Sequence, residues 1–156
     1  ETILWGKYVF AALGCAVPSC LLVFVSDLLL GISWPVIAIH QLACLVLCTG
    51  LSALAVGLGA RMPDLRETNP SKIAAGFGGT LNLVLSAVYI LVVVSLTAIP
   101  THLYVLANNA QLARKFTPQL IGWMTIGGVI IAIVLGAAVT VCSLRMGFRA
   151  FRRMEF

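Results

Sequence analysis

"IAAGFGGTLNLVLSAVYILVVVSLTAI", residues 73–99, runs for 27 residues without an Asp, Glu, Lys or Arg. An uncharged, largely apolar run of about 18 residues or more can cross a bilayer as a helix, the fold that pairs every backbone N–H and C=O internally. A soluble core could account for one such run. Three more lie outside it: about residues 8–30 (uncharged from Tyr8 to Ser26), about 36–60, and about 120–144. The whole chain of 156 residues is 61% hydrophobic and 10% charged, whereas apolar residues make up roughly half of a soluble domain. The sequence therefore predicts an all-α integral membrane protein of four transmembrane helices, forming one domain over residues 1–156.

The punctuation between the runs fits helical hairpins. Asn69-Pro70 and Thr117-Pro118 each set a good N-cap residue before a proline at the first helical position. Pro35 similarly opens the second helix after a tight Gly31-Ile32-Ser33 turn. Pro18 falls inside the first run, where it frees a carbonyl and bends a helix; membrane helices tolerate this when neighbours satisfy the freed group.

Basic residues set the orientation, because Lys and Arg in short loops concentrate on the cytoplasmic side. Lys7, Arg61, Arg66, Lys72, Arg145, Arg149, Arg152 and Arg153 fall together when both ends are placed inside, and only Arg114 and Lys115 fall outside. The expected location is the plasma (inner) membrane, multi-pass, with a cytoplasmic tail over 145–156. The chain opens on Glu1 with no cleavable signal pattern, and reads as the C-terminal part of a longer protein.

Few polar groups interrupt the oil. His40, Cys44 and Cys48 are spaced by four on one helix face, a soft-ligand set in principle. Cysteine also behaves as a small hydrophobe in apolar helices, and that is the reading taken: no metal and no disulfide. Asp27 lies near the outer end of the first run and His40 near the outer start of the second. Ionisable groups at membrane depth are costly and often functional. The two form a candidate intramembrane polar pair, with three readings open: a carboxylate reaching interfacial water, a structural pair, or part of a translocation path. Gly128, Ala132, Gly136 and Thr140 repeat every four residues, giving the fourth helix a smooth face for close packing. Beyond it, Arg145, Arg149, Arg152 and Arg153 fall on one face of a continuing helix, away from Phe148 and Phe151, a basic stripe suited to anionic lipid headgroups or to ordinary positive-inside anchoring. No G-x-S-x-G, H-E-x-x-H or G-x-x-x-x-G-K-[ST] occurs. No catalytic role, bound cofactor or nucleic-acid partner is expected.

Between the second and third runs lies "GLGARMPDLRETNPSKIAAGFGG", residues 57–79, holding five of the fifteen formal charges. Pro63 and Pro70 restrict its backbone, Asn69 caps the next helix, and charges alternate in sign through Asp64, Arg66, Glu67 and Lys72. That combination makes a stiff polar knob, or simply a solvated cytoplasmic loop. Gly57-x-Gly59-Ala60-x-x-Pro63, Asn69-Pro70-Ser71-Lys72-Ile73 and Gly76-Phe77-Gly78-Gly79-Thr80-Leu81, with the closing "RMEF", resemble a bacterial family of ATP-binding cassette exporter permeases. The resemblance covers the chain as the last four of six spans in a permease half. It implies a separate ATPase subunit that uses ATP, a second permease half or homodimer, and export of some substrate. It also implies that residues 100–119 hold an outer interfacial helix, with Leu103, Leu106, Ala110 and Ala113 in register between Pro100 and Pro118. Pro63, Asp64, Arg66, Glu67, Asn69, Pro70 and Lys72 then become a candidate ATPase-coupling loop. The competing reading is a small multi-span membrane scaffold without transport activity.

Overall fold

Runs of Leu, Val, Ile and Ala with almost no charge leave the backbone one economical conformation in an apolar solvent, the α-helix. The computed structural model describes residues 2–61, 76–107 and 118–152. They form four long helices: α1 (Thr2–Leu29), α2 (Trp34–Arg61), α3 (Phe77–Ala107) and α4 (Pro118–Arg152). Each is long and apolar enough to cross a membrane. The 28 residues of α1 reach about 42 Å at 1.5 Å per residue, against a hydrocarbon core of about 30 Å.

The helix α2 is the axis of the bundle. It packs against α1, α3 and α4, and α3 also packs against α4. Where α2, α3 and α4 meet, Leu54, Tyr89, Val93 and Ala132 form a buried cluster with Val46, Leu51, Leu96 and Leu135 around it. Tyr89 donates its hydroxyl to the Val46 carbonyl at 2.8 Å, tying α3 to α2 by a bond worth roughly 1 kcal/mol in a membrane. Side chains added at Gly50 or Gly136 would run into the Tyr89 ring or hydroxyl; these glycines make room for the aromatic.

The α1–α2 connection is fixed by capping. Gly31 sits at φ +64°, the left-handed conformation that glycine adopts without strain. Its N–H bonds the Leu28 carbonyl at 3.1 Å, and the Ile32 N–H bonds the Asp27 carbonyl at 3.1 Å, the two bonds of a Schellman cap. Ser33 then accepts from the N–H groups of Val36 and Ile37. Helix α2 therefore starts at Trp34, one residue before Pro35, so the proline stands second rather than first.

Other boundaries move too. Helix α1 extends back past Tyr8 to Thr2, since exposed Lys7 keeps its ammonium at the surface while its stem follows the helix. The break expected at Pro100 is absent: α3 continues through that residue to Ala107. Lacking an N–H, Pro100 leaves the Leu96 carbonyl without its helical donor. That carbonyl lies where a side chain on Gly128 would stand, so the gap in the α3 ladder is pressed against a residue with no side chain. Residues 101–107 of the expected outer helix thus belong to α3, and its remainder lies outside the described residues. Helix α3 begins at Phe77, and the expected start of the run at Ile73 lies outside the described residues. Residues 145–152 of the expected tail continue α4 and pack: Gly147 approaches Gly57 and Leu4.

Candidate functional site

The two ends of the bundle differ in chemistry. One carries the α1–α2 turn, the C-terminal part of α3 and the start of α4; the other carries Lys7, Arg61, Arg145 and Arg149. At the turn end, Asp27 lies in the last turn of α1 and is only 5% exposed. The Schellman cap holds its carbonyl and reverses the chain, which brings the second turn of α2 alongside. His40 Nδ1 there lies 3.0 Å from Oδ2 and 3.1 Å from Oδ1 of Asp27. A carboxylate only accepts, so Nδ1 donates and Nε2 is the ring's remaining polar atom. The His40 side chain is 37% exposed while that of Asp27 is 7% exposed. The carboxylate is thus sealed behind the imidazole, and the imidazole faces outward.

What His40 borders is a cleft of about 660 Å³ between α1, α2 and α3. Val23, Val36, Leu47 and Val94 supply apolar wall; Ser33, Cys44, Thr97, Thr101 and His102 supply its polar points beside His40. Both threonine hydroxyls are engaged as donors along α3, Thr97 to the Val93 carbonyl at 2.9 Å and Thr101 to the Thr97 carbonyl at 2.6 Å. The sequence reading reached Asp27 and His40 but missed Thr97, Thr101 and His102. Their spacing of four and five along one helix was the available signal. Nothing in the sequence showed that this stripe turns toward His40.

Gly128, Ala132 and Gly136 all lie against neighbouring helices: Gly128 at Leu96 and Pro100, Ala132 in the core cluster, and Gly136 at Val46 and Tyr89. A second close approach was not singled out as packing. A side chain at Gly57 would strike the Ser143 backbone of α4. Nearby, Arg61 Nη1 donates to Met146 Sδ at 3.3 Å, and Trp5 packs on Phe148 with ring centroids 6.2 Å apart. Arg145, Arg149 and Arg152 are exposed at this end. Pro63, Asp64, Arg66, Glu67, Asn69, Pro70, Lys72 and Arg153 lie outside the described residues. Among the described residues no three His, Cys, Asp or Glu side chains converge to hold a metal.

A family model described as "Putative ATP-binding cassette" matches residues 1–156. Comparison with curated proteins and with solved structures finds no match.

Proposed function

Because the chain belongs to the putative ATP-binding cassette family, we propose that it is a transmembrane permease component of an exporter driven by a separate ATPase subunit. The observation that carries this reading is a family match over the full length of a chain that folds into four membrane-length helices. The family's description names the nucleotide-handling part of such machines. This chain has no P-loop motif to cradle phosphates, and its described residues are apolar helices and one short turn. ATP binding and hydrolysis accordingly belong to a partner chain, and this chain supplies part of the substrate path.

Helix α1 supports a larger assembly. It packs chiefly on α2, with Leu4 and Trp5 also reaching α4, and it exposes Phe10, Leu13, Val17 and Leu21. Pro18 leaves the Gly14 carbonyl without its helical donor, on a stretch where Gly14 itself is exposed. A second permease half or a second copy on this face would satisfy it, as neighbouring helices do at membrane prolines. In sequence the polar stretch 63–72 falls between α2 and α3, and we assign it to contact with a soluble ATPase on the cytoplasmic side.

The test is a single cysteine at Thr68 in a background lacking the native five, crosslinked with the partner ATPase present. Crosslinking that changes with nucleotide is expected. A functional complex that yields no crosslink from Thr68, Leu65 or Ser71 removes the coupling role, and ATP-independent transport removes the permease reading.

A further inference from the structure

We infer that the cleft between α1, α2 and α3 binds a lipophilic cation. This rests on the permease reading, because it names the class of molecule the path would accept. Its volume of about 660 Å³ falls within the roughly 300–1,000 Å³ of small-molecule sites, which are mostly apolar with a few polar groups that fix orientation. The apolar walls suit an apolar body. The polar points decide the charge.

Several of those points present lone pairs, beside the donor protons of Ser33, Cys44 and His102. Thr97 and Thr101 spend their only hydroxyl protons on backbone carbonyls, which leaves oxygen lone pairs for the cleft. His40 spends its Nδ1 proton on Asp27, so a neutral imidazole offers Nε2 as an acceptor. Behind it stands the Asp27 carboxylate, a negative charge in a water-poor setting where Coulombic attraction is strongest. Among the described residues no Lys or Arg lines the cleft. The charge that stands beside the described rim is the Asp27 carboxylate, which repels an anionic head and attracts a cation. An uncharged ligand would fill the walls and could hydrogen-bond at the rim, but would gain nothing from the charge.

The experiment uses the full-length protein in lipid nanodiscs without any ATPase, and two probes of nearly the same shape and opposite charge, tetraphenylphosphonium and tetraphenylborate. Saturable binding of the cation above that of empty discs is expected, with the anion at least about tenfold weaker. Asp27→Asn should weaken the cation about tenfold or more, in line with loss of a charge-assisted partner. Thr101→Val, which nearly keeps the shape but removes an oxygen dipole facing a cation that has no proton to donate, should weaken it only about twofold. Ala98→Phe should block the cleft and abolish saturable binding of the cation while the helical melting transition is retained. Equal binding of the two ions would overturn the inference. So would cation binding that ignores Ala98→Phe and Thr101→Val, or the absence of saturable binding because another helix covers the cleft. Without the ATPase, the measurement is separate from pumping: cation binding with no ATP-driven transport would sink the permease reading and leave this site standing.

Discussion

Asp27 and His40 show how a single contact can be both a lock and an opening. A carboxylate buried to 5% exposure needs a partner, because an unpaired buried charge costs several kcal/mol. Two short contacts to one imidazole nitrogen supply it and tie the end of α1 to the start of α2. A double-mutant cycle with Asp27→Asn and His40→Gln, read by equilibrium unfolding in mixed detergent, should give a coupling of about 1–2 kcal/mol, since hydrogen bonds to charged groups contribute about 1.5–3 kcal/mol and membrane contacts run somewhat weaker. Additivity within about 0.3–0.5 kcal/mol would mean that Asp27 is served by water rather than by His40. This pair was legible in the sequence because thirteen residues and one glycine turn separate its members. The cleft beside it was not, because its far wall depends on how α3 is rotated against α2. No pattern within a single helix reports that angle.

At the scale of the helices, small residues decide where backbones touch. Gly127 and Gly128 are neighbours in α4 with opposite surroundings. A side chain on Gly128 would meet the Leu96 carbonyl and Pro100, while one on Gly127 would meet nothing within 4 Å. Leucine at either position is apolar enough to insert. Gly128→Leu should therefore cost about 1–3 kcal/mol of bundle stability through overpacking, and Gly127→Leu should stay within about 0.5 kcal/mol of the parent. Equal effects of the two variants in the same unfolding assay would place Gly128 on a lipid-facing surface. The repeat of small residues at 128, 132 and 136 carried this face in the sequence. The Gly57–Gly147 approach escaped because the continuing helix after 144 is read for its arginine stripe, and not for the inner face of Leu144, Gly147 and Phe148. The Pro100 reading failed for another reason. Proline as a helix boundary is a local rule, and here the opposing glycine gives the proline-broken turn a place to pack.

For the molecule as a whole, the asymmetry of its ends is the strongest remaining signal. Lys7, Arg61, Arg145, Arg149 and Arg152 are the Lys and Arg among the described residues, and all stand at the end opposite the α1–α2 turn. Each basic side chain near an anionic cytoplasmic leaflet contributes about 1 kcal/mol, and Lys and Arg bias in short loops directs insertion. The turn end carries no Lys or Arg among its described residues, and it holds the sealed carboxylate and the cleft. With the basic end inside, the cleft opens toward the outer half of the membrane, the side from which an exporter discharges. Reporters placed either side of α3 decide this. A fusion at Leu65 should behave as cytoplasmic, bright as a fluorescent protein and inactive as alkaline phosphatase, and a fusion at Asn109 should show the reverse. Both reporters on one side would mean that α3 does not cross. Exchanged sides would keep four crossings but turn the cleft to the cytoplasm, making it a point of substrate entry rather than exit.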